Sequence, residues 1–198
     1  MAVPGRVEAA SILLELDPPE WFVRHSAGVA EVASFLAARA AARGRSLDPR
    51  LAEAAGLLHD VDKLLPAGDP ARHLSHGRGS AAWLRRNGYA ELAEAAALHP
   101  VTRLLDNGTS RLADADLETM IVAYADKRVG QRLVPMARRF DGWRRRYPGS
   151  WSSAEGRRAE TRAGRLERVV CEAAGIAPGA VRRRRWVRRA LTAARKAR

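Results

Sequence analysis

Cysteine is nearly absent: Cys171 is the only one among 198 residues, so no internal disulfide framework can hold the fold. A catalytic thiol would need a base partner and none stands out, so Cys171 reads as a small hydrophobe on a helix. Aromatic residues are only 6% of the chain, and β-branched residues never gather into alternating runs bounded by turn residues. That disfavours sheets. No apolar run approaches the roughly 18 residues of a membrane span, and the N-terminal MAVPGRVEAA lacks a basic segment followed by an apolar one. A soluble, cytoplasmic protein is the expectation. Acid is scarce at one end: residues 138–198 hold 19 Lys/Arg against 5 Asp/Glu, whereas residues 1–137 hold 16 against 17. The net charge of +13 therefore belongs to the C-terminal part, which suggests an anionic partner there or a solvated arginine-rich face.

What is present is alanine, arginine and enough apolar residue, 46%, for one globular core. Helical periodicity and punctuation predict an all-α fold. Asp17-Pro18-Pro19-Glu20 opens a helix from Trp21 to about Arg43, before Gly44. Asp48-Pro49 opens a second through Leu64, closed by Pro66. Shorter helices follow over Leu74 to Arg86 and Tyr89 to His99, then a loop over 101–113. Asp114 or Asp116 caps a long helix to roughly Arg146, and two more helices cover 154–174 and 179–197. The boundary at YPGSWSS divides residues 1–148 from a basic extension, 149–198.

Polar residues interrupt the apolar stripes at particular places. His25 falls on the stripe of Phe22, Val29, Val32 and Leu36; His59 and Asp60 follow the apolar run Ala55 to Leu58; Asp126 lies beside Ile121, Val122 and Ala125. His76 and His99 sit in or at the end of short helices. Single buried histidines are ordinary core residues, but carboxylates and imidazoles contributed by several helices are how bundles build metal sites. A divalent cation would compensate the buried charge of Asp60 and Asp126. Nitrogen and oxygen ligands without thiolates suit Fe, Mn, Co, Ni or Zn, with Mg also open.

The set RHSAGVAEVASFLA around His25, AGLLHDVDKL around His59 and Asp60, and IVAYADKRV around Asp126 resembles the HD-domain phosphohydrolases, of the HDIG type, over roughly residues 20–147. The resemblance implies an HD-domain helical bundle in which His25, His59, Asp60 and Asp126 hold one metal ion. His76 and His99 fall where two-metal members carry two further histidines, with Asp60 then bridging and a water between the ions as nucleophile. His73 could replace His76 if its helix begins earlier, and a one-ion site remains open. Lys63, three residues after Asp60, would contact a phosphate oxygen. Arg128 is a second phosphate-binding candidate, in competition with Lys127 and Arg132. Asp62, two residues after Asp60 on an assumed helix, is expected to be solvated.

The function so implied is metal-dependent hydrolysis of a phosphoester or phosphoanhydride on a nucleotide-type substrate, dinucleoside polyphosphates included. A phosphodiesterase acting on RNA ends or cyclic nucleotides is a variant. The competing reading is a non-catalytic, metal-stabilised helical module that binds nucleic acid non-specifically. Residues 182–198 carry eight arginines, Lys196 and no acid around a stripe of Trp186, Val187, Ala190, Leu191 and Ala194. Such a helix could hold nucleic acid with Trp186 stacking, lie on an anionic membrane, or pack its stripe on the core.

Overall fold

The computed structural model describes residues 3–105 and 112–197. Among them the chain forms helices joined by turns and 3-10 segments, with no strand beyond an isolated bridge between Val129 and Leu133. The helices are α1 (Arg6–Glu15), α2 (Glu20–Ala42), α3 (Pro49–Leu58), α4 (Arg78–Arg86), α5 (Ala93–Leu98), α6 (Leu117–Arg128), α7 (Met136–Arg146), α8 (Pro148–Trp151), α9 (Ala154–Ala174) and α10 (Val187–Lys196). The all-α expectation holds. α1 has no counterpart among the segments read from the sequence, and part of the expected 101–113 loop lies outside the described residues.

α2 is the axis of the bundle, packed against α3, α6 and α9. Its face of Gly28, Val29, Ala30, Val32, Ala33, Leu36 and Ala37 is buried, and the small residues on it let neighbouring backbones come close. The closest approach is to α3: a Cβ at Gly56 would lie 2.9 Å from the Ala30 Cα. Any side chain there would push the two helices apart. α3 starts as its sequence dictates, with Pro49 at its first turn and the Asp48 carboxylate accepting the Arg50 N–H at 2.8 Å.

Most expected helices are cut short: α4 begins at Arg78 instead of Leu74, and α5 at Ala93 instead of Tyr89, after a 3-10 turn over 90–92. α3 does not run to Leu64: it ends at Leu58, Asp60 leaves helical geometry at φ −108° and ψ 13°, and residues 61–64 form a 3-10 turn. Pro66 explains the tightening, since the residue before it must be extended, as Leu65 is. The expected helix to Arg146 is two helices, because Val129 turns extended at φ −117° and Pro135 forbids continuation. α9 matches its expected bounds, capped by the Ser153 hydroxyl and ended by left-handed Gly175. The last helix begins at Val187 instead of 179, for a reason that lies far away in sequence.

That reason is Glu31, on α2 and only 4% exposed. Its carboxylate accepts from Arg183 Nε at 2.8 Å and from the Trp186 and Val187 backbone N–H groups at 3.2 and 3.4 Å. Its backbone carbonyl takes the Arg184 N–H at 2.9 Å. The segment before α10 is thus held extended, and a carboxylate sits at the positive end of the helix. α10 then lays Val187, Ala190, Leu191 and Ala194 on α1, in one apolar cluster continuous with the α2 face. Trp186 is buried as well, beneath the Arg6 guanidinium at 5.1 Å, so it is not free to stack on a nucleic-acid base. Glu31→Ala should leave two N–H groups and a guanidinium without their acceptor, costing on the order of 3 kcal/mol in chemical denaturation. Limited trypsin digestion should then open residues 182–189 first, and unchanged stability with an intact C-terminus would remove this account.

Candidate metal centre

α2, α3, α5 and α6, with the turns beside α3 and α4, bring six side chains to one centre: His25, His59, Asp60, His76, His99 and Asp126. His25 comes from the buried face of α2, His59 and Asp60 from the break after α3, His99 from the C-terminus of α5, and Asp126 from the last turn of α6. His76 stands in the turn before α4 and not on a helix. Gly77 makes that turn possible: its φ is +82°, and a Cβ there would meet the Ala96 carbonyl oxygen at 2.7 Å. His73 is exposed at the end of the preceding 3-10 turn, and it is His76 that reaches Asp60.

Hydrogen bonds on the outer nitrogens orient the rings. His25 Nδ1 lies 3.1 Å from the Gly130 carbonyl oxygen, His59 Nδ1 2.9 Å from that of Gly56, and His99 Nδ1 2.7 Å from that of Ala96. A carbonyl can only accept, so each Nδ1 carries the proton and each Nε2 presents a lone pair inward. Those inner atoms crowd together. His25 and His59 Nε2 are 3.3 Å apart, and His76 and His99 Nε2 are 3.1 Å apart.

Asp60 divides the group. Its Oδ2 lies 3.6 Å from His25 Nε2 and 3.5 Å from His59 Nε2, while its Oδ1 lies 3.3 Å from His76 Nε2 and 3.1 Å from His99 Nε2. Asp126 Oδ1 adds to the first half, 3.4 Å from His25 Nε2 and 3.8 Å from His59 Nε2. The combinations His25, His59, Asp126 and His59, Asp60, His99 each offer donor atoms close enough together to hold a metal ion. Burial drives the His59 imidazole down to about 3, against the pull of Asp60, so it stays neutral as a ligand must. Burial also opposes charge on His25, yet Asp126 and Asp60 outweigh it and raise its pKa. Asp60 is held well below the usual carboxylate range: burial opposes this, and His59, His99 and Lys63 prevail. Asp126 is lowered likewise, with His25 as its main support against burial.

Lys63 lies at the edge of the cluster, with Nζ 2.5 Å from Asp60 Oδ2 and a side chain 41% exposed. His76 is 41% exposed too, so the centre opens to solvent on this side. Asp62 overturns its expectation. Its side chain is only 8% exposed, and it accepts from the Gly77 N–H at 2.9 Å while facing His76 Nδ1 at 3.1 Å. The 3-10 turn rotates it away from the position that continued helix would give. Arg128 is also corrected: its guanidinium is buried and taken up by the Val134 and Pro178 carbonyls, the Tyr124 hydroxyl and Glu167. It ties α6 to α9 and the C-terminal segment through Nε and Nη1.

Lys127, named above as a competitor of Arg128 for phosphate, is fully buried. Its ammonium donates to the His99 carbonyl at 2.7 Å and the Ala123 carbonyl at 3.0 Å, which fixes the end of α5 against α6. Burial lowers its pKa to about 8, with Asp126 opposing. Its place directly after Asp126 was the only signal available, and a charge beside a buried acid reads equally well as a solvated face.

No curated protein and no solved structure matches the chain. A family model does: that of the HD domain, over residues 22–129. The match starts just before His25 and stops just after Asp126, taking in every side chain that converges here and more than half of the 198 residues, and the chain therefore belongs to the HD-domain family.

Proposed function

We propose that the protein is a metal-dependent phosphohydrolase that cleaves a phosphoester or phosphoanhydride bond of a nucleotide-type substrate, dinucleoside polyphosphates included. The observation that carries this reading is the meeting of four inward-facing Nε2 lone pairs around one buried carboxylate. Acceptors at 3.1–3.3 Å repel unless a cation or proton lies between them, and three of the rings use their Nδ1–H to donate to a backbone carbonyl. Two divalent cations would fit this donor set, one held by His25, His59, Asp126 and Asp60 and the other by Asp60, His76 and His99. Fe, Mn, Co, Ni or Zn suits it, with Mg open.

Divalent cations in such a site supply an acidified water and neutralise charge on phosphoryl oxygens. The chain's own residues supply the rest. Lys63 sits at the open edge with its ammonium on Asp60, placed to offer donors to a phosphoryl oxygen as charge builds there. Asp62 faces the outer nitrogen of His76, holding an exposed ring on a turn in its ligating direction. The opening beside His76 and Lys63 suits catalysis, since a purely structural site closes its ions off with protein ligands. A non-catalytic module that binds nucleic acid through residues 179–198 has less support, because Trp186 is buried.

Phosphate release from a nucleotide panel, with Mn, Fe, Co, Ni and Mg supplied separately, should occur with the wild type and be lost in Asp60→Ala. Full activity in that variant would sink the reading. Metal analysis by plasma mass spectrometry should give two ions in the wild type and one in His76→Ala. Asp62→Ala should weaken one ion by about 10- to 100-fold and leave the other. Unchanged metal content in both variants would remove the two-ion arrangement.

A further inference from the structure

The C-terminal element carries a line of cations that the fold does not use. Elsewhere surface arginines are matched to acids: Arg24 pairs with Glu20, Arg86 with Asp69, and Arg144 with Asp141 and Glu160. After Glu172 the sequence holds no acid at all. Arg183 takes Glu31, and Arg184, Arg185, Arg188, Arg189, Arg195 and Lys196 stand exposed with no carboxylate in ion-pair contact among the described residues. Their placement is fixed. Arg188 and Arg195 are seven residues apart on α10, two turns or about 10 Å, and Arg189 and Lys196 repeat that interval on the adjoining flank. The other side of the helix is committed to α1 through Val187, Ala190, Leu191 and Ala194. Arg184 and Arg185 extend the line along the segment that Glu31 holds. Like charges kept this close repel one another, and a partner carrying anions along its length relieves the repulsion.

Two burials narrow the choice of partner. An anionic membrane takes up a basic helix by burying its apolar stripe, and that stripe already lies on α1. A single strand of nucleic acid is gripped by aromatic stacking, and the one aromatic residue of the segment, Trp186, is buried. What remains is recognition through phosphates alone. Residues 182–198 hold eight arginines against one lysine, and the planar arginine fork pairs with two phosphate oxygens. A nucleic-acid duplex presents one charge per about 1.7 Å of its axis, twice the density of a single strand. We propose that the exposed side of α10 and the segment before it form a docking surface for double-stranded nucleic acid, held by its backbones without reading sequence. None of these residues belongs to the metal centre, so the surface stands whatever the centre catalyses.

The test is fluorescence anisotropy of a labelled random-sequence DNA duplex with the full chain over a series of salt concentrations. The wild type should bind with Kd on the order of 1–100 μM near physiological salt, and log affinity should fall linearly with log salt. Arg188→Gln/Arg189→Gln should weaken binding by about 10-fold or more and make the slope shallower by about 2. Arg145→Gln/Arg146→Gln removes the same charge from exposed positions on α7, which packs on α6 and α8, and should keep affinity within about 3-fold of the wild type. Both variants should melt with the wild type, because neither pair has a carboxylate partner to lose. The unlabelled single strand, poly-glutamate and phosphatidylserine vesicles should each compete less well than the unlabelled duplex. No binding, affinity indifferent to salt, an equal loss in the α7 variant, or any of those three competitors matching the duplex would overturn the proposal.

Discussion

The absence of a side chain at Gly56 is the constraint from which the centre is built. It lets α3 lie on the backbone of α2 at Ala30, closer than any other residue would permit. The same residue's carbonyl receives the His59 Nδ1 proton. Helix contact and imidazole orientation are therefore one event, and they leave His25 and His59 with their inner nitrogens 3.3 Å apart. α6 then needs only to pack on both helices for Asp126 to arrive opposite them. α5 completes the set through His99, whose carbonyl is held by Lys127 and whose ring is held by Ala96.

Polar groups buried this densely persist only when each has a partner. The outer nitrogens of His25, His59 and His99 have backbone carbonyls, the Lys127 ammonium has two carbonyls, and Asp62 has a backbone N–H and the ring of His76. The satisfied groups lie on the outside of the cluster, and what remains unmatched faces inward. That separation is what a ligand-binding centre looks like before its ligand is counted. It differs from an ordinary core histidine, which spends both nitrogens on the protein.

Much of this was legible in the sequence, and the failures have a common cause. His25 and Asp126 were found because helical periodicity put them on apolar stripes, His59 and Asp60 because they follow the apolar run of α3, and His76 and His99 because they fall where the resemblance expects two further histidines; periodicity inside α2, α3 and α6 is sound. It misleads where a helix is extended past its end. Carrying α3 on to Leu64 turned Asp62 away from Asp60's neighbours, whereas the 3-10 turn brings it to His76. Joining α6 to α7 hid the bend at Val129 to Pro135, although Gly130 and Pro135 were there to be read. The remaining misses are long-range. Nothing around Arg128 or Trp186 names Glu167 or Glu31 as neighbours, because those contacts span 39 and 155 residues. The stripe on α10 was read correctly, and its destination could not be.

The anchoring of the C-terminal segment on Glu31 also fixes where its charge lies in space. Arg183 runs close to α2, its guanidinium carbon 3.8 Å from where a Cβ on Gly28 would sit, three residues after His25. Arg184, Arg185, Arg188 and Arg189 continue outward from that point as exposed side chains on a tethered element. A positive field held in a constant direction on the surface acts before contact, over roughly a Debye length of 10 Å at 0.1 M salt. The charge of the arginine-rich end is thereby fixed relative to α2, and ionic strength sets how far from the surface it is felt.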